Sequence, residues 1–352
     1  MPEVVLVAGR GPMAVRAIRS CQESGAKVVA VYSEAEANSL HARLADDSVL
    51  IGSSAPEASY LDIAALVEAA QVSGAHAVLP VHSILAGSAD FARATIDAGL
   101  LWIGPSPTAL TAVDEAGWGA SHGVAVSSPG SVIGLADGFR LDGLLVRRTT
   151  AEGATLRWTS AEEPPDLALE GFPSAAELVA QLSDLVGELG WRGLVCVSVD
   201  DDGAAVRVRG GVPAELGLVE LRAGRDLLRA AIALAEDGTP PAASPGAPAA
   251  VGGSVRARAV PPVGGHASIT ELTGPESQDV EWTAGYATGD PLWPWYDPVL
   301  VVIGVAGDDV ADAVDEFLEV TAEITVTGVP TDLDDLRVQA GGLAARLRDG
   351  SA

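Results

Sequence analysis

The first hundred residues alternate between short apolar runs rich in β-branched residues and longer segments with helical periodicity. Apolar residues that recur every three or four positions predict an amphipathic helix, and a short apolar run bounded by turn residues predicts a buried strand. Strands and helices alternating at this spacing predict an open, mostly parallel sheet with helices on both faces. The predicted strands are Val4–Ala8, Lys27–Tyr32, 48–51, Ala77–Pro80 and 101–103, and the predicted helices are 13–24, 37–45, 60–73 (with Ser59 as its N-cap) and 88–98.

Beyond residue 105 the alternation weakens, and two hairpins are the clearest elements. Gly, Ser and Pro interrupt residues 117–138, which predicts an irregular segment. The pattern "LDGLLVRRTTAEGATLRWTS" at 141–160 predicts a hairpin that turns at 152–153. Residues 194–209 predict a second hairpin, which turns at 202–203.

One low-complexity stretch divides the second half of the chain. Residues 239–253, "TPPAASPGAPAAVGG", predict a linker or a long loop. The segments around it return to regular patterns, with helices predicted at 175–189, 221–238, 309–323 and 332–348 and strands at 254–260 and 297–305.

The charge of the chain narrows its partners. The net charge is −27 and the pI is about 4.3, so nucleic acid and anionic membranes are excluded as partners. No apolar run approaches the ~20 residues of a bilayer span, and the start "MPEVVLVAG" lacks the features of a secretory signal, so we expect a cytoplasmic protein. Lys27 is the only lysine beside twenty arginines, which excludes chemistry that needs two lysines.

Isolated polar features predict structural roles. Cys21 and Cys196 lack a second sulfur or a histidine at ligand spacing, so we expect both to be packing residues outside any metal site or disulfide. The acidic run at 200–203, "DDDG", lacks the distant glutamate of a calcium loop and predicts a polar hairpin tip. His82 has no carboxylate at a defined spacing, and we expect a structural role for it.

The opening stretch at 4–20, "VVLVAGRGPMAVRAIRS", has two interpretations. A strand that ends in Gly9 and Gly11 and feeds a helix is typical of a phosphate cradle, because free backbone N–H groups at a helix start attract anions. The same glycines also make a tight turn between strand and helix, and a lone GxG is weak evidence for a nucleotide. We favour the structural turn.

Several of these segments resemble biotin carboxylases, the ATP-grasp subunits or domains of acyl-CoA, acetyl-CoA and pyruvate carboxylases. The likeness is most specific in "GRGPMAVRAIRSCQESGAKVVAVYSEAEANSLHARLADDSVLIG", "SYLDIAALVEAAQVSGAHAVLP" and "GLLWIGPSP", and it continues in "GWRGLVCVSVDDDGAAVRV" and "VEWTAGYATGDPLWPWYDPVLVVIGV". It implies a biotin carboxylase-like α/β fold. The implied domains are an amino-terminal open parallel sheet at 1–113, a truncated ATP-grasp domain without its lid at 114–245, and an α+β carboxyl-terminal domain at 246–352.

The resemblance also implies a phosphoryl-transfer chemistry whose machinery this chain has lost. In the family, ATP activates bicarbonate and CO2 passes to biotin, which needs two lysines on the phosphates, two acidic Mg²⁺ ligands and a closing lid. The first lysine position falls at or near Ala116. The second lies in the lid, which is deleted between residues 123–134 and the hairpin that starts at Leu141.

The metal-ligand positions are changed as well. Alignment with the family places Ser198 and Arg209 at the two acidic ligands, and an arginine there would repel the ion. We therefore expect no catalytic residue, no cofactor and no bound metal. Four further family residues are replaced, an asparagine by Gly211, an arginine by Pro213, the arginine at the bicarbonate and biotin end by Glu281, and a glutamate by Gly87.

One helix face keeps the residue types that lie at the dimer contact in the family. Arg16, Arg19 and Glu23 follow the helical i, i+3, i+7 spacing, and Arg19 with Glu23 is an i, i+4 pair. The resemblance implies an interface there, and a solvated helix surface is the alternative. A second candidate surface holds Trp293, Trp295 and Tyr296, for which we favour core packing.

We interpret the chain as a catalytically inactive homologue, a pseudoenzyme, that serves as a structural or regulatory subunit of an acyl-CoA carboxylase assembly. Its predicted partners are a second copy of the chain or active carboxylase subunits. One alternative is an enzyme or sensor that uses the remodelled cleft, with His82 or Glu281, for a smaller ligand, and a deep polar pocket would favour it. The last alternative, a divergent ATP-dependent carboxylase, requires arginines to supply both phosphate-binding cations.

Overall fold

The computed structural model describes residues 2–119, 128–151, 154–162, 164, 167–169, 171–259, 261–262, 265–275, 277, 279–294 and 298–349. None of the helices in these ranges combines the length and the apolar character that crossing a membrane requires. The strands are β1 (Val4–Ala8), β2 (Lys27–Tyr32), β3 (Asp47–Leu50), β4 (Ala77–Pro80), β5 (Leu101–Trp102), β6 (Gly130–Asp137), β7 (Leu141–Ala151), β8 (Ala154–Ser160), β9 (Arg192–Val199), β10 (Ala205–Arg209), β11 (Ala249–Arg256), β12 (Ala267–Ser268), β13 (Glu271–Thr273), β14 (Glu281–Ala284), β15 (Pro291–Leu292), β16 (Val299–Gly307) and β17 (Thr325–Thr327). The helices are α1 (Gly11–Glu23), α2 (Leu40–Leu44), α3 (Ile63–Val72), α4 (Ser83–Ala86), α5 (Ala89–Asp97), α6 (Pro107–Glu115), α7 (Ala175–Glu188), α8 (Leu216–Ala223), α9 (Leu227–Ala235), α10 (Val310–Ala322) and α11 (Leu333–Asp349).

The amino-terminal strands form a five-stranded parallel sheet in the order β3-β2-β1-β4-β5. Alternate residues of β1 are buried on opposite faces, as a sheet covered on both sides requires. Leu6 packs in one core with Leu66 of α3, whereas Val5 and Val7 pack in a second core with Ile18 of α1. The predicted open parallel sheet with helices on both faces is confirmed.

The rest of the chain is organised around an eight-stranded antiparallel sheet in the order β10-β9-β6-β7-β8-β11-β16-β14. Both predicted hairpins are present, as β7–β8 and β9–β10. The turn predicted at 152–153 lies outside the described residues. Strand β11 pairs with β8, so strands from the two sides of the predicted domain boundary at 245/246 share one sheet. The division into three domains stays a prediction.

Two predictions about this sheet are wrong. Segment 117–138, predicted to be irregular, contains the central strand β6, and the predicted loop at 239–253 contains the first five residues of β11. In both strands a glycine allows the neighbouring backbone to approach closely. A Cβ at Gly134 would lie 2.1 Å from the carbonyl oxygen of Asp142, and one at Gly252 would lie 2.5 Å from that of Ile303.

Two helices of the first domain are shorter than predicted. Helix α3 begins at Ile63, because the side chain of Asp62, and not that of Ser59, caps it by accepting a hydrogen bond from the backbone N–H of Ala65. Helix α2 occupies only the second part of the predicted segment 37–45.

The opening glycines form a tight turn between β1 and α1. Gly11 has a φ of +70°, which glycine adopts without strain, and it starts α1. Gly9 lies directly against the residue after β4, since a Cβ on Gly9 would be 2.5 Å from the Cβ of Val81. Close packing accounts for both glycines, in agreement with the structural interpretation of this stretch.

Candidate functional site

A polar cleft of about 960 Å³ opens on one face of the eight-stranded sheet. Strands β7 to β10 supply its floor. The start of α1 and the loop after β4 form one wall, and β11 with β16 forms the other. A cleft of this volume lies within the usual range for small-molecule sites. The polar pocket that would favour a ligand-binding function is therefore present.

Strand alternation decides which arginines of the first hairpin reach the cleft. Successive side chains of a strand point to opposite faces, so Arg148 lines the cleft whereas Arg147 lies on the other face. Arg147 is buried there, with its guanidinium carbon 4.0 Å from the centre of the Phe172 ring. In the strand register Arg148 lies directly opposite Arg157, so two like charges are cross-strand neighbours facing the cleft.

Glu215 compensates this pair of charges. Its Oε1 accepts hydrogen bonds from Arg157 Nε at 2.8 Å and from Arg148 Nη2 at 3.3 Å. Burial by itself would raise the pKa of the Glu215 carboxyl. The charges of Arg157, Arg148 and Arg209 outweigh burial and lower this pKa from 4.5 to about 2. Glu215 is therefore ionised at neutral pH, and we call Arg148, Arg157, Arg209 and Glu215 the arginine cluster.

The loop after β10 carries Glu215 to its place. Gly211 adopts a φ of +88°, which turns the chain back toward the first domain. The next residue, Val212, donates its backbone N–H to the carbonyl oxygen of Val81 at 2.8 Å. Glu215 then stands immediately before α8, below the arginines of the hairpin.

The second hairpin brings Ser198 and Arg209, the two expected metal-ligand positions, into the same cleft. Ser198 Oγ lies 3.1 Å from Ser131 Oγ, and Arg209 Nη2 donates to Cys196 Sγ at 3.1 Å. Cys196 is thus buried but also contacts a cleft residue. Cys21 is buried in the amino-terminal domain, where burial raises the pKa of its thiol to about 12, and both cysteines are free.

The residues of the cleft do not fit a magnesium ion or its complex with a nucleotide. Magnesium is held by oxygen ligands, usually from carboxylates. Asp201 and Glu215 are the carboxylates among the described residues of the lining, and Glu215 is already bound to two arginines. Arg209 adds a further positive charge near Glu215. Across the described ranges, no three His, Cys, Asp or Glu side chains are grouped as a metal site would need.

Of the two residues named as alternatives for a remodelled cleft, His82 or Glu281, one lines the cleft. His82 lines the cleft, at the wall formed by the loop after β4. Glu281 lies against α1 instead, where its Oε1 is 3.8 Å from Arg16 Nε and accepts a hydrogen bond from Thr283 Oγ1 at 2.8 Å. His82 is therefore the one of the two alternatives that the described lining of the cleft contains.

Arg16 belongs to a largely buried ion cluster, whereas Arg19 and Glu23, which share its helix face by spacing, are exposed. Its Nη2 donates to Glu220 of α8, and only 19% of its side chain is exposed. Asp226 also acts on Arg16. Two carboxylates thus lie within 4 Å of the Arg16 guanidinium, and the charge of a third acts on it. We call Arg16, Glu220, Asp226 and Glu281 the junction cluster, because α1, β14 and the region of α8 and α9 meet there.

Arg19 and Glu23 are exposed on α1. Neither forms an ion pair within 4 Å with any residue that the structure describes, so the predicted i, i+4 pair is not made. Their role in an interface stays a prediction. Trp293 is partly buried against the carboxyl-terminal core and lies 4.8 Å from the His266 ring, between ring centres. Trp295 and Tyr296 lie outside the described residues.

The junction cluster predicts an unusual pH dependence of stability. Burial raises the pKa of Glu220 to about 7, Arg16 opposes this rise, and Asp226 adds to it. Between pH 4.5 and 7 the folded protein therefore binds more protons at this site than the unfolded chain, and stability falls as the pH rises. Relative to Glu220→Gln, the wild type is expected to lose about 3 kcal/mol of its free energy of unfolding over this range.

Urea denaturation of the wild type and of Glu220→Gln at several pH values measures this difference. Using the difference between the two proteins removes the titration of all other groups. If the free energies of unfolding of the two proteins changed in parallel from pH 4.5 to 7, the prediction would be wrong. Glu220 would then be ionised over the whole range, with its charge stabilised by Arg16.

Arg148, Arg157 and Glu215 were not predicted as site residues from the sequence. A partial signal for the arginines exists, because both hairpins carry arginines and Arg207 and Arg209 in "VRVR" stand at alternate positions, which indicates a basic strand face. Glu215 carries no comparable signal. It follows an irregular loop, and its partners come from strands about 60 residues earlier in the chain.

Known proteins resemble this chain most closely in its amino-terminal part. Residues 1–110 match the family described as biotin carboxylase, N-terminal domain. The chain is 49% identical over 106 residues to the biotin-dependent acyl-coenzyme A carboxylase alpha3 subunit of Mycobacterium leprae, which is 30% of this chain and 18% of that protein. It is 42% identical over 143 residues to a biotin carboxylase of Halalkalibacterium halodurans, covering 38% of this chain and 30% of the relative. The matched region is thus less than a third of either relative.

Solved structures extend the likeness of fold to nearly the whole chain. The biotin carboxylase domain of a single-chain bacterial carboxylase superposes with a TM-score of 0.79 at 23% identity, covering 98% of this chain and 95% of that domain. A biotin carboxylase of Campylobacter jejuni gives a TM-score of 0.78 at 18% identity, covering 97% and 95%. The first 110 residues are therefore similar to the biotin carboxylase N-terminal domain, and the chain has the fold of a biotin carboxylase domain.

Proposed function

We propose that this chain is a non-catalytic subunit of a biotin-dependent acyl-CoA carboxylase assembly, associating with active carboxylase subunits or with a second copy of itself. The amino-terminal domain supports the proposal, because it keeps close similarity to a protein named as a subunit of such an enzyme. The cytoplasmic location stays a prediction.

One observation carries the non-catalytic part of the proposal. Ser198 and Arg209, which stand where the resemblance expects the two acidic magnesium ligands, both face the cleft, and Arg209 brings a positive charge to it. Phosphoryl transfer depends on metal ions that neutralise the charge of the phosphates. A cleft that repels the metal lacks this requirement.

The cleft itself favours a second candidate function, the binding of a small ligand. It keeps a volume of about 960 Å³ and a polar lining. A protein retained only for its outer surface has no need of such a cleft. The two functions are compatible, since a subunit of an assembly can also bind a regulatory ligand.

We expect the purified protein to release no ADP from ATP in the presence of bicarbonate, Mg²⁺ and free biotin. The physical reason is the missing metal site together with the absence of a second lysine. A coupled ADP assay measures this, with the biotin carboxylase of Halalkalibacterium halodurans as the active control. Bicarbonate-dependent ADP release above the blank without protein, and lost in Arg209→Ala, would overturn the non-catalytic proposal.

A further inference from the structure

The cleft concentrates positive charge in a strongly acidic protein. The whole chain carries a net charge of −27, so its average field repels anions. Five arginines nevertheless line this one cleft, against the carboxylates of Glu215 and Asp201 within the described lining. The five are Arg148, Arg157, Arg207, Arg209 and Arg256.

The single carboxylate of Glu215 neither neutralises all the arginines around it nor accepts all of their hydrogen bonds. It accepts hydrogen bonds from two of them and lowers the electrostatic cost of the third, Arg209. The Nε atoms of Arg148 and Arg209 are buried, and no acceptor for either is found among the described residues. Burying guanidinium donors without acceptors costs free energy, which an anionic ligand would offset.

The spread of the arginines indicates the length of the ligand. They come from strands β10, β7 and β8 and from β11 beyond, and the order of the sheet places β9 and β6 between β10 and β7. With strands spaced by about 4.8 Å, the arginines of β10 and β8 start about 19 Å apart. The side-chain ends of Arg148, Arg157 and Arg209 converge on Glu215, while Arg207 and Arg256 line other parts of the cleft. A chain of phosphates can therefore contact more of these guanidinium groups than a single phosphate can.

Neutral donors between the arginines add to the same chemistry. Thr150 and Thr155 are cross-strand neighbours whose hydroxyl oxygens lie 3.1 Å apart, and both line the cleft. Ser198 supplies a further hydroxyl on the neighbouring part of the floor. Hydroxyl and guanidinium donors together are the groups that proteins use to bind phosphate oxygens when no metal takes part.

We propose that the arginine cluster and its neighbours in the cleft bind a ligand with two or more linked phosphate groups, directly and without a divalent metal. Arginines here take the place of both the metal and the lysines that the fold family uses. The inference goes beyond the proposed function, because it holds whether or not the chain joins a carboxylase assembly. The linked phosphates can belong to an inorganic oligophosphate, to a nucleoside diphosphate or to coenzyme A.

Titration calorimetry and thermal unfolding with sodium tripolyphosphate in EDTA test the proposal. At a concentration one hundred times the Kd, we expect the melting temperature to rise by about 3 °C or more. Excess Mg²⁺ should weaken binding at least tenfold, because the metal neutralises the phosphates that the arginines recognise. The double variant Arg207→Gln, Arg256→Gln changes the two cleft arginines that lie outside the arginine cluster and should also bind at least tenfold more weakly.

Two controls make the outcome decisive. Arg93→Gln removes an exposed arginine outside the cleft and should bind like the wild type, and far-ultraviolet circular dichroism confirms that each variant is folded. ADP, coenzyme A and citrate are titrated beside tripolyphosphate, and tighter binding of ADP or coenzyme A identifies the source of the phosphates. Equal affinity for citrate, a requirement for Mg²⁺, unchanged binding in the folded double variant, or no binding at millimolar tripolyphosphate overturns the proposal.

Discussion

Replacing Glu215 by glutamine is expected to lower the free energy of unfolding by about 3–5 kcal/mol at pH 7. The substitution keeps the size of the side chain but removes the negative charge between Arg148 and Arg157, which would then face each other across neighbouring strands. Removing one partner of a buried ion pair leaves an uncompensated buried charge, which is the costly case. Urea denaturation of the two proteins measures the loss.

The same variant has a defined pH dependence. The pKa of Glu215 is about 2 in the folded protein and 4.5 in the reference state. Its contribution to stability is therefore fully present above pH 4.5 and is lost as the pH falls toward 2. The difference between the wild type and Glu215→Gln should narrow by about 3 kcal/mol over this range. Glu68→Gln, an exposed glutamate on α3, is the control and should be close to neutral.

Two results would contradict this prediction: a loss of unfolding free energy below 1 kcal/mol at pH 7, or a difference between the two proteins that does not narrow in acid. Either would show that solvent screens the charges of these arginines when Glu215 is absent.

Tripolyphosphate adds a second comparison of the two proteins. If the arginine cluster binds phosphates, the ligand should stabilise Glu215→Gln more than the wild type, because the variant has one negative charge fewer in the same cleft.

Much of the fold could be predicted because its signals are local or carried by the resemblance. The strands and helices of the first domain follow from periodicity, and the two hairpins follow from alternation with a turn between. Strands β6 and β11 could not be predicted in this way. Their glycines indicate loops in a single sequence, and only the neighbouring strands, at Asp142 and Ile303, show why a side chain is excluded there.

The sequence predicted which family residues are replaced in the cleft, but it did not predict that arginines converge on a buried glutamate there. Alignment with the family identified Ser198 and Arg209 as replacements, and both do line the cleft. The convergence of Arg148 and Arg157 on Glu215 depends on which strands pair and on a helix start far away in the sequence. No periodicity in one chain contains that information, because the strands that form the floor are not all consecutive.

Helix α1 also shows that spacing in the sequence does not identify the long-range partners of a side chain. Arg16, Arg19 and Glu23 share a face by spacing alone, and an isolated helix would expose all three. Glu220 and Glu281, more than 200 residues later in the chain, lie against one end of this face and form ion pairs with Arg16. Arg19 and Glu23, nearer the carboxyl end of α1, are left exposed.

If α1 mediates assembly, Arg19→Glu is expected to abolish association while leaving the fold intact. The wild type should form a homodimer or co-purify with carboxylase subunits, and its association should weaken with added salt, which screens rim charges beyond about 8 Å at physiological ionic strength. Arg19 is exposed and has no ion-pair partner among the described residues, so its reversal should cost little within the chain. In a desolvated contact it would place like charges together, at a cost of several kcal/mol.

Light scattering and pull-down from the native cell compare the wild type with Arg19→Glu and with Arg93→Glu. The second variant makes the same change of net charge on α5 of the same domain and should associate normally, which separates a local effect from one of total charge. A wild type that is monomeric and without partners at tens of micromolar contradicts the proposed assembly. A mutant Arg19→Glu that associates like the wild type, in a protein that does associate, removes α1 from the interface and directs the search to another face.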